Sequence, residues 1–164
     1  MGKQRKLTAG EIKLAREAFG DRIDCGKVRL SDGPGSNAAA HIAFMKGNPA
    51  ITIENTVYFT EGFSSDFSAA GADGRMFMHE MTHVWQYRSL GMASFFIRYG
   101  ADLAKAGGKP NDMYKYDDDS KFGSAMLEAQ AQMVGDYHRA RATGNASATA
   151  RLARNLKGSG LHGL

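Results

Sequence analysis

Apolar positions recur at helical spacing in some stretches and at strand spacing in others, and the switches between the two outline the elements of this chain. Thr8-Ala9-Gly10-Glu11 has the Thr-x-x-Glu form of a capping box, and Ile12, Ala15 and Phe19 follow at helical intervals until Gly20. This predicts a first helix over about Ala9 to Phe19. Val28 and Leu30 alternate with polar neighbours, which predicts a short strand, and the Gly- and Pro-containing run Ser31 to Asn37 predicts a loop. Ala39 to Met45 and Ala50 to Thr60 are rich in Ile, Val, Phe and Tyr and are separated by Gly47-Asn48-Pro49, so both are expected to be strands of a small antiparallel sheet. Glu54-Asn55 inside the second run fits either a bent strand or a tight hairpin.

Helical periodicity returns at Asp73, a suitable N-cap, through Met76, Phe77, Met81, Val84 and Trp85 to Gly91. A further helix is expected over Ala93 to Ala106, broken by Gly107 to Asp112. A long helix follows the run Asp117-Asp118-Asp119-Ser120, which reads as N-capping sequence, and continues to about Arg141. Asn145 to Leu156 is a last short helix, and Gly158 to Leu164 reads as a frayed end. With no internal repeat and no linker, residues 1–164 are expected to form one α+β domain in which helices predominate.

Composition narrows the class. At 164 residues, 43% hydrophobic and 23% charged, the chain suits one globular core. The start Met1-Gly2-Lys3-Gln4-Arg5-Lys6 leads into polar helical sequence, and no apolar run approaches spanning length. The expectation is a soluble, cytoplasmic protein with no cleaved signal and no membrane partner, or one exported folded by a system that needs no signal peptide. Cys25 is the only cysteine, so an internal disulfide and a cysteine-rich zinc site are excluded. The net charge of +4 gathers at the C-terminal end, where Arg139, Arg141, Arg151, Arg154 and Lys157 follow Asp136 with no acidic residue. A solvated helix face accounts for this strip better than nucleic acid does, because no aromatic residue lies beyond Tyr137 to stack on bases.

The chemistry is concentrated in His79-Glu80-Met81-Thr82-His83. Residues four apart share a helix face, so His79 and His83 can direct two imidazoles at one ion, with Glu80 beside them to take a proton from water. With five His and six Glu in the chain, shuffling gives this pattern in roughly one sequence in two hundred. Its uncharged flanks, Met76 to Met78 and Val84-Trp85, fit a buried helix. The bland alternative is a pair of satisfied histidines with a solvated glutamate. A catalytic zinc site takes three protein ligands and keeps one position open. The best third ligand is Glu128, the only glutamate after Glu80, set among small and apolar residues where an unpaired carboxylate is costly. His41, His138, His162 and Cys25 read as structural or solvated.

His79-Glu80-Met81-Thr82-His83-Val84-Trp85-Gln86, followed by Leu127-Glu128-Ala129-Gln130-Ala131-Gln132 and Gly135-Asp136-Tyr137, resembles the minimal gluzincin-like domains of Vgr-related proteins. The resemblance extends upstream to Leu7 to Glu11, Phe19 to Asp24 and Asn55 to Phe59, and so covers nearly the whole chain. It implies a zincin-like fold and a zinc metallopeptidase with His79, His83 and Glu128 as ligands and Glu80 as the base. It also implies a peptide or protein substrate and a secretion-spike partner of the VgrG or Rhs type. Such domains commonly carry an acidic residue one turn after the ligand glutamate to orient a histidine. This chain has Gln132 there, whose amide oxygen is a weaker acceptor. Tyr87, Tyr114 and Tyr116 are the candidate donors to a developing oxyanion, and the strand Ala50 to Thr60 is expected to align an extended substrate. The rival function is a zinc-binding adaptor with little or no turnover.

Overall fold

The computed structural model describes residues 3–164. The N-terminal β1 (Gln4–Arg5) leads into α1 (Ala9–Phe19), whose start is the capping box: Thr8 Oγ1 accepts from Glu11 N while Glu11 Oε2 accepts from Thr8 N. Next come β2 (Arg29–Asp32), α2 (Ala38–Met45), β3 (Ala50–Ile53) and β4 (Thr56–Phe59). The helical half consists of α3 (Gly74–Leu90), α4 (Met92–Lys105), α5 (Leu127–Ala142) and α6 (Ala146–Leu156), with short 3-10 turns at Pro110–Tyr114, Phe122–Ser124 and Leu161–Gly163.

The four strands form one sheet in the order β1-β2-β4-β3. It is mixed rather than antiparallel as the sequence pattern suggested, because β2 runs parallel to β4, with Leu30 opposite Val57. The link between these two strands contains α2 and β3, which gives room for a parallel return. Glu54-Asn55 is the tight turn of a β3–β4 hairpin, with Glu54 at φ 52°. The segment expected to be a strand, Ala39 to Met45, is helix α2. Asn37 caps it by accepting from Ala40 N, and three consecutive alanines favour helix over sheet.

The core lies where the sheet, α1, α3 and α5 meet. Phe59, Phe67 and Phe77 stack in series, with centroids 5.0 Å and 5.5 Å apart, over Met78, Met81 and Met133. α3 and α5 pack most extensively, and Gly135 permits it: a Cβ there would stand 2.7 Å from the Arg75 carbonyl oxygen. This close approach brings the first two turns of α5 beside the middle of α3, where the chemistry lies.

Two further expectations are corrected. The long helix begins at Leu127, not just after Ser120, and the Asp117 to Asp119 run does not cap it. Asp117 folds back on Asp119 N and Ser120, while Asp118 pairs with Arg151 at 2.8 Å. The start of α5 is instead capped from a distance, by buried Asp102 of α4 accepting from Leu127 N at 2.9 Å. The C-terminal segment is packed rather than frayed, with Leu161 fully buried and the turn around it set against α1.

Candidate metal centre

Three side chains from two helices converge. His79 Nε2 and His83 Nε2 each lie 3.1 Å from Glu128 Oε2 and 3.2 Å from each other. α3 supplies the two imidazoles one turn apart, and the first turn of α5 supplies the carboxylate, as the close packing at Gly135 requires. His83 and Glu128 are each only 6% exposed. Ligands bonded at about 2.05 Å around a tetrahedral zinc stand roughly 3.3 Å from one another, so this triangle has the spacing of a ligand set. The donor chemistry, two imidazole nitrogens and one carboxylate oxygen, also suits zinc.

A chain of amides holds the triangle in register. Gln86, fully inside the protein, donates through its Nε2 to Leu127 O and to Gln130 Oε1, each at 3.0 Å, and Gln130 donates in turn to Phe122 O. The Gln86 oxygen is therefore the acceptor that faces His83 Nδ1 at 2.8 Å. A proton on Nδ1 leaves the Nε2 lone pair of the neutral ring aimed at the centre of the triangle. Gln132 does not serve here. It lines a wider groove with Arg75 and His79 and makes no hydrogen bond to either imidazole among the described residues. A glutamine three residues after His83 on the same helix was the available signal for Gln86.

Electrostatics reflect crowding. Burial alone would push His83 down, but the charge and hydrogen bond of Glu128, with Glu80 behind, outweigh it and raise its pKa to about 9. Burial acts to raise Glu128, yet the two histidines hold its carboxyl well below the usual range.

Glu80 lies outside the triangle. Its Oε2 accepts from Thr52 Oγ1 of β3 at 2.7 Å, which ties the proposed base to the edge strand of the sheet. Tyr114, one of the expected donors, lays its ring on His79 with centroids 5.8 Å apart. Tyr99 of α4, which sequence reasoning passed over, also lines the cleft. Burial, and then the Glu128 charge, raise both phenols, so each stays a protonated donor at neutral pH. Tyr87 lines the cleft too, with its phenol pushed up to about 12 by burial first. Tyr116 does not reach the site; its hydroxyl donates to Asp136 Oδ2 at 2.6 Å, beside the Arg75–Asp136 ion pair.

Comparison with known proteins gives this chain relatives. The spike protein VgrG2b of the type VI secretion system of Pseudomonas aeruginosa is 31% identical over 159 residues, which cover 93% of this chain and 15% of that protein. The chain thus spans a small part of the spike protein it matches. The solved effector domain of Pseudomonas aeruginosa VgrG2b superposes with a TM-score of 0.67 at 31% identity, covering 93% of this chain and 84% of that one. The eCIS core domain matches residues 8–91, half of the chain, including His79, Glu80 and His83. The chain therefore belongs to the eCIS core domain family.

Proposed function

We propose that this chain is a zinc-dependent metallopeptidase that acts as an effector or accessory component of a type VI secretion system. The observation that carries the reading is the His79–His83–Glu128 triangle with Glu80 beside it. The relationship to a domain called an effector domain supports the secretion context, and a spike protein of the VgrG type is the proposed partner. No described helix is long and apolar enough to cross a membrane.

Zinc bound by His79, His83 and Glu128 would polarise a peptide carbonyl and lower the pKa of a water molecule towards about 7. The residues of the chain supply the rest. Glu80 takes the water proton on its carboxylate and passes it to the leaving amine. Thr52 fixes that carboxylate by donating to one of its oxygens. Tyr99 and Tyr114 are positioned in the cleft as protonated donors to the carbonyl oxygen as charge builds on it. β3, an edge strand, offers backbone groups along which an extended peptide pairs.

One observation favours the second reading, a zinc-binding adaptor of low turnover: His83 is held by an amide, Gln86, where a carboxylate would polarise it more strongly. The two are separated by zinc-loaded protein acting on unfolded casein. The peptidase reading expects cleavage that Glu80→Gln lowers by about 10²- to 10⁴-fold with zinc retained. Bound zinc with no cleavage by the parent chain would leave the adaptor.

A further inference from the structure

A cavity of about 190 Å³ opens onto the ligand triangle, with His79, His83 and Glu128 in one wall and aromatic and aliphatic side chains in most of the rest. The turn from α3 into α4 builds it. Gly91, at φ 78°, reverses the chain within one residue, so that Tyr87 of α3 and Phe95 of α4 stack with centroids 3.9 Å apart. Phe95 is buried and meets the His83 ring edge-on at 6.2 Å, so the floor of the cavity is continuous with the metal-facing imidazole. Ile51 of the edge strand and Tyr99 of α4 form the sides. Phe96 forms part of the rim and is 54% exposed, within 6.0 Å of the Tyr87 ring.

Size restricts what enters. A dry cavity of about 150 Å³ with an apolar lining holds benzene, whereas pockets that enclose whole small ligands run to about 300–1,000 Å³. The cavity against His83 therefore has the size of one ring-like side chain, and the wider groove that shares His79, Glu80 and Tyr99 with it has room for the rest of a polypeptide. Charge restricts it further. Among the described lining residues there is no lysine or arginine, and the two acidic groups, Glu80 and Glu128, already have partners. An acidic side chain would meet those two carboxylates and neither a lysine nor an arginine there, while an apolar one would shed water against aromatic faces.

We infer that this cavity takes one aromatic or large aliphatic side chain of a polypeptide laid across the cleft, and so selects the residue next to the bond presented to the triangle. The identity of that bond rests on the metallopeptidase reading; the preference for a ring does not.

The test uses the full chain in two arms. In the first, metal-free protein is titrated with N-acetyl-phenylalaninamide, N-acetyl-leucinamide and N-acetyl-alaninamide while the aromatic resonances of Phe95, Phe96 and Tyr99 are followed by NMR. The phenylalanine compound is expected to bind about 10- to 100-fold more tightly than the alanine compound, with shifts centred on those three rings. Phe96→Ala, a change at the exposed rim that leaves the core intact, is expected to cut that preference several-fold. Equal binding of the two compounds, or shifts located elsewhere, overturns the inference. In the second arm, zinc-loaded protein is offered quenched peptides that differ only at the residue beside the bond. Ring discrimination in the first arm with no cleavage of any peptide keeps the pocket and removes the peptidase reading; cleavage indifferent to that residue does the reverse.

Discussion

Glu11 and Glu128 are both buried carboxylates, and their surroundings differ in a way that separates structure from chemistry. Glu11 is fully enclosed and fully compensated: Arg5 pairs with both its oxygens at 2.8 Å, and the backbone N–H groups of Thr8 and Phe67 each donate at 2.8 Å. Its charge is balanced within the fold by a permanent cation and fixed dipoles. Glu128 meets two imidazoles through a single oxygen, 3.1 Å from each, and those rings balance it only by taking a proton or by sharing an ion with it. A carboxylate satisfied by a fixed cation of its own protein is a clamp. One balanced by something exchangeable is the kind we propose as a metal ligand.

The sharpest way to break the comparison is to remove each carboxylate in turn. Glu128→Ala is expected to abolish zinc binding, with a loss of affinity beyond the roughly 10- to 100-fold that outer partners contribute, while the metal-free protein loses less stability than Glu11→Ala costs, because His83 can shed the proton that Glu128 favours on it. Glu11→Ala is expected to show the opposite pattern: about 3 kcal/mol of stability lost in urea titration, because Arg5 and two N–H groups lose their acceptor, with zinc affinity unchanged. Metal titration and denaturant unfolding on both variants check this, and equal destabilisation by the two would erase the distinction.

Gln86→Leu sharpens the same contrast at intermediate size. It removes the acceptor that sets the His83 tautomer without touching Glu11, and is expected to cost about 10- to 100-fold in zinc affinity, measured by competition with a chelator. Gln132→Leu is expected to leave the affinity unchanged, because Gln132 makes no hydrogen bond to either imidazole among the described residues.

The smallest effect concerns a half-buried ring whose nitrogens are enclosed without a partner. Burial first, then Arg141 and His138, lower the His162 pKa from 6.5 to about 4, and neither ring nitrogen has a hydrogen-bond partner. Because the folded state holds this ring neutral, its contribution is fully present above pH 6.5 and is lost as pH falls towards 4, where the unfolded chain binds the proton more readily. The expected loss is about 1 kcal/mol after discounting for partial exposure. Thermal melts at pH 7 and pH 4.5 measure it, and His162→Asn, which tolerates the left-handed backbone at φ 52°, is expected to flatten the difference.

What could be read from the sequence followed from how local each feature is. α1 and α3 were legible to within a residue because their caps, Thr8 and Asp73, and their stops, Gly20 and Gly91, are adjacent to the helices they bound. α2 was misread because an exposed helix carrying Ile42, Phe44 and Met45 has the composition of a strand, and the cap at Asn37 was weighed as loop. The parallel pairing of β2 with β4, and the capping of α5 by Asp102 from another helix, depend on contacts made only after folding. Within the site, His79, His83 and Glu80 were fixed by spacing and Glu128 by scarcity. The aromatic cavity was not foreseen, because its walls come from α3, α4 and β3 together.

X-ray absorption at the zinc edge on the purified chain tests the central claim most directly. The account predicts one zinc per chain with two imidazole nitrogens and a carboxylate oxygen at about 2.0–2.2 Å, reduced to substoichiometric metal in Glu128→Ala. A chain that binds no zinc, or one whose zinc shows a single imidazole or a sulfur ligand, would contradict it.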